Sequence, residues 1–589
     1  MNARSERVAA ALGDRPLDLL IENVQLLNVY TQEIYPADIG VSGGVIVFAG
    51  PGAWDGPAPA ATYDGEGRVA TPGLIDTHLH IESSMIGPES FAAAVLPHGT
   101  TTVLIDPHEI ANVVGLRGVE YMLEASEGLP LRVLVQAPSC VPAVPALETA
   151  GADFGAEEIA TMLGWDRVVG LAEVMDYIGV IRQQDRMRDI LAVSLDRDVV
   201  ISGHSPLVRG RELAAYLVAG PDSDHESRLR DEMLEKLRLG MYVEGRVASH
   251  GESVSKIASV IDEIGCVPPN LIMCTDDVVP EDLLDLGHMD RLVRTCVVAG
   301  IEPVGAVRAA TLHGAQRLRR RDLGALAPGK VADILLVDDL IAFDVSDVFV
   351  GGELVARDGH LVREIPIAPP GDAVCDTVHL RKALTLGDFE LRSPGSAPTV
   401  GVHALDVGDR GRRTLATLDL PVTDGRLDIS EDESLCLVAV LERHGRTGTA
   451  SLNVVRGAGV TAGAAASTIS HDSHNLIVVG RSPVDMLAAA QAVVDAGGGV
   501  ASALDSEVTA VLSLPIAGLM SPEPVPVIVP KLKALNAALR VLGITREQPV
   551  IAIIGIALPV IPDYGVTDLG LVDVNAQQVI SMWVGEGDG

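Results

Sequence analysis

Aromatic side chains are scarce in this chain of 589 residues, at 3%, although hydrophobic residues as a whole make up 48%. Its interiors must therefore be built from Val, Leu, Ile and Ala. The length exceeds what one hydrophobic core fills, so we expect two or three domains. Basic residues are also few, because 44 Lys and Arg stand against 80 Asp and Glu, a formal net charge of −36. This acid excess argues against nucleic-acid and anionic-membrane partners.

Disulfide and membrane signals are missing as well. The six cysteines are scattered and form no Cys-x-x-Cys pair, which favours reduced thiols and a cytoplasmic protein. Residues 1–16 carry charges within their apolar stretch and predict a short amphipathic helix, not a signal peptide. The longest apolar run, 550–560, is too short to span a bilayer and contains Gly555 and Pro559. We expect that run to be a buried strand of a soluble protein.

From residue 71 to about 315, short apolar runs that end in polar residues alternate with segments of helical period. The runs are 73–80, 101–109, 131–139, 167–174, 198–206, 222–226, 239–246 and 270–277. Eight strand-like runs separated by helices predict an α/β fold, a (β/α)₈ barrel over residues 71–315. An open doubly wound sheet would fit the alternation too, but it explains less readily why nearly every run ends in His, Asp or Glu.

Short β-type segments flank the predicted barrel on both sides. We expect those of residues 1–70 and 316–370 to join in one small composite β domain. A Pro-rich stretch at 365–380 marks a boundary. Residues 371–589 are predicted to form an extra C-terminal α/β domain. Its clearest elements are strands at 437–443 and 450–456 and a helix at 483–496.

The densest polar cluster follows the first run, in TPGLIDTHLHIESSM at 71–85. Alternation along a strand puts His78 and His80 on one face, about 6–7 Å apart, so that both can converge on one divalent ion. Two ordinary histidines in a turn are the alternative. Other runs also end in ionisable residues, which a barrel would bring into one bowl at its carboxyl face. These residues are Asp106, His108, Glu109, Glu173, His204, His225 and Asp276.

Four imidazoles and two or more carboxylates suit one or two divalent ions such as Zn²⁺, Mn²⁺ or Fe²⁺. Each residue taken alone also fits a structural role, as a helix cap or as a loop residue. The prediction of a metal site fails only if every one of these residues has such a structural role. Several metal-dependent barrels bridge two ions with a carboxylated lysine on the fourth strand. The first lysine here is Lys236, so this bridge is excluded. Glu173 ends the fourth run instead, and a carboxylate bridges without modification.

The ordered set of six ligands resembles the amidohydrolase superfamily, as does the tail ATLHGAQRL…DLGALAPGKVADILLVD. More narrowly, PGLIDTHLHIESSM, VLPHGTTTVLIDPHEIANV, GLAEVMDY and ISHDSHNLIVVG resemble the bacterial adenine deaminases, from about residue 20 to the C-terminus. The resemblance implies conversion of adenine to hypoxanthine and ammonia at a binuclear Mn²⁺ or Fe²⁺ centre, with Zn²⁺ as an alternative. One ion would bind His78, His80 and Asp276, the other His204 and His225, with Glu173 between them.

The constellation of candidate residues suggests a mechanism as a hypothesis, and the resemblance implies a set of partners. Two cations would lower the pKa of a shared water, and the hydroxide would attack C6 of the purine. Asp276 would carry the proton to the leaving amine. Glu109 or Glu82 is the candidate acid for ring N1, and we expect Glu82, Ser83 and His108 to bind the substrate. The partners would be a small-molecule purine and a second copy of the chain in a homodimer.

Two rival functions stay open at this point. One is an amidohydrolase acting on a cyclic amide or related heterocycle, because the loops of a barrel set its chemistry. The other is a non-catalytic metal-binding or scaffold protein, against which the complete ligand set argues. The SHDSHN motif at 470–475 could reach the bowl or bind another ion through His471 and His474, but we favour a hydrogen-bonded turn with a structural role.

Overall fold

The computed structural model describes residues 2–408, 413–560 and 563–585. Within them, eight strands form a barrel, and each coincides with one of the eight predicted runs. The first five strands pair in parallel in one sheet, and the last three pair in parallel in another. In chain order the barrel strands are Leu74–Leu79, Thr100–Ile105, Arg132–Ala137, Val168–Val174, Val200–Gly203, Ser223–Asp224, Tyr242–Ala248 and Leu271–Cys274.

Backbone hydrogen bonds join the two groups of strands and close the barrel. The Asp276 N–H donates to the His78 carbonyl over 3.0 Å, and the Asp222 N–H donates to the Ile201 carbonyl over 3.1 Å. The predicted (β/α)₈ barrel is thereby confirmed. Because closure joins the ends of the first and eighth strands, residues far apart in the sequence share one edge of the bowl.

Helices cover the outside of the barrel and bury apolar faces against its strands. Ile190, Leu213 and Val260, each from a different helix, are fully buried. Among the described residues, none of the helices combines the length and the apolar character that a membrane span requires. The helices are Pro88–Val95, His108–Val114, Leu116–Ala125, Ala156–Met162, Tyr177–Ile181, Asp185–Asp196, Gly210–Ala219, Arg230–Arg238, Val254–Ile264, Pro280–Asp285, Met289–Val298, Pro303–Arg308 and Gly314–Arg317.

The segments that flank the barrel share one nine-stranded sheet, as expected for a composite β domain. The two halves meet where Ile334–Val337 pairs antiparallel with Val69–Pro72. The helix Ala3–Ala11 precedes this sheet, as predicted, whereas the domain limits at residues 70, 315 and 370 remain predictions. The other strands are Leu19–Asn28, Glu33–Ser42, Val45–Pro51, Thr62–Asp64, Val345–Val350, Glu353–Arg357 and His360–Leu361.

In the C-terminal part, the described residues form a second nine-stranded sheet, a separate three-stranded sheet and three α-helices. The predicted strands and helix of this part lie at Leu435–Leu441, Ala450–Arg456 and Pro483–Asp495. The remaining strands are Thr399–Val407, Arg413–Thr423, Arg426–Leu427, Ala464–Ser467, Leu476–Gly480, Gly499–Leu504, Glu507–Ser513, Tyr564–Thr567, Gly570–Asp573 and Gln578–Ile580, and the remaining helices are Val525–Val541 and Pro549–Ile554.

The strand predicted at 550–560 is wrong. This run forms the helix Pro549–Ile554, followed by the 3₁₀ turn Gly555–Ala557. Pro549 suits the first helical turn because its missing N–H would have no intrahelical partner there. The periodicity of a short apolar run does not distinguish a strand from a helix. The correction matters because this helix lies over the mouth of the barrel.

Candidate active site

The six predicted metal ligands meet at the carboxyl face of the barrel. The first, fourth, fifth, sixth and eighth strands each deliver at least one of them, at or just beyond the end of the strand. Every one is buried, with an exposed fraction of at most 7%. The six residues are His78, His80, Glu173, His204, His225 and Asp276.

Glu173 lies at the centre of this group. Its Oε1 is 3.9 Å from His78 Nε2 and 3.4 Å from His80 Nε2. Its Oε2 is 2.7 Å from His204 Nδ1 and 3.3 Å from His225 Nε2. Ligand atoms bound tetrahedrally at about 2.1 Å from one ion lie about 3.4 Å apart. The separations from His78, His80 and His225 therefore suit metal coordination, whereas the contact with His204 Nδ1 is a hydrogen bond.

Unpartnered buried atoms test whether the residues fit a metal. Both ring nitrogens of His78, Nε2 of His204 and Nδ1 of His225 are buried without a hydrogen-bond partner among the described residues, although buried polar atoms are nearly always paired. The carbonyl of Asp106 accepts from His80 Nδ1 over 2.9 Å, which leaves Nε2 free for a metal. The donor set therefore fits a divalent metal centre.

Arg246 is a site residue that we did not predict. It lies in the strand Tyr242–Ala248, and its guanidinium donates to Asp276 Oδ2 over 2.6 Å and to Glu226. The other oxygen of Asp276, Oδ1, is 3.7 Å from His78 Nε2 and 3.4 Å from His80 Nε2. Burial favours the neutral acid, but Arg246 and then His80 hold the pKa of Asp276 well below its usual range.

Three of the other five candidate residues line a cavity above the ligands, namely Ser83, His108 and Glu109, whereas Asp106 and Glu82 do not line it. The Ser83 hydroxyl oxygen is 2.8 Å from Glu109 Oε1 and 2.6 Å from Asp277 Oδ1. Burial raises the pKa of Glu109. Glu82 lies behind the wall and accepts the Ile110 N–H over 3.3 Å, a placement that does not favour substrate contact. Burial and then the neighbouring Glu109 raise the pKa of Glu82 to about 8.

The cavity has a volume of about 180 Å³ and two sides of different origin. We call the barrel side, which carries the metal ligands, the floor. We call the C-terminal side the roof. The roof consists of Ile469, His471, Asp472, Ile551, Ile554, Gly555 and Leu558.

The SHDSHN motif forms the hydrogen-bonded turn that the sequence favours, and it also faces the bowl. Asp472 Oδ1 is 3.5 Å from His108 Nε2, and Asp106 Oδ2 is 3.3 Å from the other ring nitrogen of His108. His471 Nδ1 is 3.8 Å from Glu109 Oε1. The motif is hydrogen-bonded internally, as a turn would be, so the local pattern was consistent with either placement.

The fold and the site together define a metal-dependent hydrolase of the barrel type. The amidohydrolase family matches residues 69–355, and the adenine deaminase C-terminal domain matches residues 413–578. The adenine deaminase of Moorella thermoacetica is 38% identical over 98% of both chains, and that of Oleidesulfovibrio alaskensis is 41% identical over 99% of both. The chain belongs to the adenine deaminase family.

Two solved structures that match are more distant from this chain than these relatives are. An adenosine deaminase from Xanthomonas campestris with bound zinc is 20% identical, with a TM-score of 0.44 over 59% of this chain and 95% of that one. A beta-aspartyl dipeptidase from Fervidobacterium islandicum AW-1 is 18% identical, with a TM-score of 0.44 over 59% of this chain and 98% of that one. Neither likeness bears on the activity of this chain.

Proposed function

We propose that this chain hydrolyses adenine to hypoxanthine and ammonia. One observation carries the proposal: six buried side chains of metal-ligating type meet at the carboxyl face of the barrel, five of them lining one cavity, in a chain that matches adenine deaminases over 98% or more of its length. The match includes the C-terminal domain, which disfavours a hydrolase of cyclic amides. The complete ligand set disfavours a non-catalytic scaffold.

Two divalent cations would bind in the floor, Mn²⁺ or Fe²⁺ with Zn²⁺ as the alternative. His78, His80 and Asp276 form one group of close ligand atoms, and His78 with Glu173 and His225 forms another, which supports two neighbouring ions around Glu173. His204 would complete the second ion's ligands. Bound there, the cations would lower the pKa of a water molecule towards neutrality.

Asp276 would move the proton between the attacking water and the leaving amine. Its Oδ1 lies among the ligand atoms, so it is close to where that water must stand. Arg246 holds the other oxygen, Oδ2, and so fixes the rotation of the carboxylate. We therefore assign Asp276 a catalytic role and Arg246 a positioning role.

Glu109 would protonate ring N1 of the purine. The Ser83 hydroxyl has one hydrogen but lies within hydrogen-bond distance of two carboxyl oxygens, those of Glu109 and Asp277. One of the two carboxyls must therefore carry a proton. Because burial raises the pKa of Glu109, we place the proton there, which suits a general acid. Ser83 and His108 would contact the substrate.

The partners and the compartment are proposals too. The substrate would be a free purine base, and the chain would act as a homodimer in the cytoplasm. All six cysteines are free thiols, which agrees with a reducing compartment. The acid excess of the chain supports the absence of nucleic-acid and membrane partners.

The test is the loss of adenine absorbance, with ammonia release measured in parallel, in protein reconstituted with Mn²⁺. Adenosine, cytosine and a panel of cyclic amides serve as the comparison substrates. We expect rapid conversion of adenine alone. If a protein that holds two ions per chain leaves adenine unchanged but hydrolyses a cyclic amide, the adenine assignment is wrong.

A further inference from the structure

The SHDSHN turn at 470–475 is fixed to both the C-terminal domain and the barrel. Arg443 is fully buried, and its guanidinium donates to the His474 carbonyl and to two further carbonyls. The side-chain amide of Asn475 donates over 2.8 Å to the carbonyl of Thr149, in a loop of the barrel. The side chains of this turn are therefore held at a defined place above the floor.

Within this turn, His474 has a defined hydrogen position. The Ser470 N–H donates to His474 Nδ1 over 3.2 Å. Burial, with the charge of His471 nearby, holds the pKa of His474 well below its usual range, so the ring is neutral. A neutral imidazole that accepts a hydrogen bond at Nδ1 carries its hydrogen on Nε2. Nε2 is therefore a donor.

This donor faces the candidate acid of the barrel. His474 Nε2 is 3.9 Å from Glu109 Oε2, which is too long for a hydrogen bond in this structure. Both atoms are buried, and neither has a hydrogen-bond partner in the part of the chain that the structure describes. Leaving a buried donor or acceptor unpaired is unfavourable. Catalytic hydrogen bonds that are long without substrate often shorten when it binds.

We propose that His474, from the C-terminal domain, is the positioning residue of Glu109. Its Nε2–H would donate to Oε2 when substrate binds, and so fix the carboxyl while Oε1 stays beside Ser83. The inference rests on the proposed role of Glu109 and gives the C-terminal domain a part in catalysis. A third metal ion between Glu109, His471 and His474 is the competing interpretation. It conflicts with the Ser470 hydrogen bond, because a ring that accepts at Nδ1 has no free lone pair on Nε2.

Two substitutions distinguish the role of Nδ1 from the role of Nε2. His474→Asn keeps an acceptor near the position of Nδ1 but removes the Nε2 donor, whereas His474→Gln keeps an N–H near Nε2. We expect His474→Asn to lower kcat for adenine by about 10- to 100-fold with little change in KM, because small misplacements of a catalytic group are costly. His474→Gln should retain more activity than His474→Asn. His403→Asn, at a partly exposed site of the same domain, is the control and should match the unmodified protein.

A double-mutant cycle with Glu109→Gln tests whether the two residues act together. If His474 works through Glu109, Glu109→Gln with His474→Asn should be no slower than Glu109→Gln alone. Multiplied losses in the double variant would overturn the inference. Should His474→Asn fail to fold, as judged by circular dichroism, the same cycle is run with His474→Gln, whose smaller loss should also vanish in the Glu109→Gln background.

Metal content separates the remaining outcomes. We expect two ions per chain in the unmodified protein and in both His474 variants. A third ion that is lost in His474→Asn would overturn the positioning role in favour of a metal site. Full activity of Glu109→Gln would also overturn it, while adenine turnover by the unmodified protein would leave the proposed function intact. No adenine turnover by the unmodified protein would instead refute the proposed function.

Discussion

The floor and the roof of the cavity differ in chemistry and in how they are held. The floor carries the ionisable ligands. Backbone hydrogen bonds between the ends of the first and eighth strands hold residues such as His78 and Asp276 in place. The roof is largely apolar, with Ile551 and Ile554 on the short helix Pro549–Ile554. The difference indicates a division of work, in which the floor performs the proton and metal chemistry and the roof encloses the substrate.

The SHDSHN turn is the exception that links the two sides. It belongs to the C-terminal domain and so to the roof, but its side chains approach two residues of the barrel. Asp472 approaches His108, and His471 and His474 approach Glu109. A floor that worked alone would tolerate changes throughout the roof. Substitutions on either side therefore measure how far the division of work holds.

The largest effect is expected at the floor, from Asp276→Asn. The amide cannot accept the proton of the attacking water, so kcat should fall by about 10²- to 10⁴-fold while both metal ions remain bound. Turnover assays and metal analysis on the same preparation check both parts. Asp262→Asn, at an exposed position, is the matched control. Turnover close to that of the control would remove the proton-transfer role from Asp276.

A smaller loss is expected when the support of that carboxylate is removed. Arg246→Met deletes the cation between Glu226 and Asp276 and should lower kcat/KM by about 10- to 100-fold, the range for residues that orient metal ligands. Arg246→Lys should recover part of the loss in kcat/KM. Arg238→Met, at an exposed position, is the control and should leave kcat/KM unchanged. If Arg246→Met stays within about two-fold of the unmodified protein in the same assay, the ligand geometry of the floor does not depend on this residue.

Most of the floor is predictable from sequence for a physical reason. Each barrel strand is a local apolar run, and the polar residue at its end necessarily reaches the carboxyl face once the barrel closes. This reasoning finds Glu173 and His225 without knowledge of tertiary contacts. The same reasoning could also have identified Arg246, because this residue ends the seventh run. The prediction covers only runs that end in His, Asp or Glu.

The roof depends on contacts between parts of the chain that are distant in sequence. The run at 550–560 fits a strand and a helix equally well by its pattern, and only packing above the barrel decides for the helix. The turn at 470–475 likewise forms the same local hydrogen bonds whether or not it faces the bowl. What orients it is Arg443, and no signal near the motif indicates that partner.

Ile554→Ala tests the enclosing role of the roof. Ile554 is buried and lines the cavity. Truncating its side chain should therefore weaken the binding of the substrate and of the transition state by the same factor. We expect KM for adenine to rise by about 10-fold while kcat changes little. Val541→Ala, at an exposed position of the neighbouring helix Val525–Val541, serves as the control in the same steady-state assays. A fall in kcat that matches the fall in kcat/KM would mean that the roof acts in the transition state, and the division of work would break down.

Glu148, where a barrel loop meets the roof, should affect stability rather than turnover. Burial, with the charges of Asp472 and Asp568, raises its pKa to about 8. The folded protein then keeps a proton that the unfolded chain releases above about pH 4.5, so stability falls as pH rises through that window. The shift corresponds to a few kcal/mol at most.

Glu148→Gln cannot ionise, so it removes this pH dependence. We expect its melting temperature to fall less between pH 5 and pH 8 than that of the unmodified protein, with kcat for adenine nearly unchanged. Glu157→Gln, at an exposed position nearby, should melt like the unmodified protein at both pH values. Equal pH dependence in all three proteins would show that Glu148 is ionised in the folded state. The junction of floor and roof would then hold a buried carboxylate next to Asp472 and Asp568. Charge–charge interactions at this junction would then couple the floor and the roof more strongly than their separate chemistry implies.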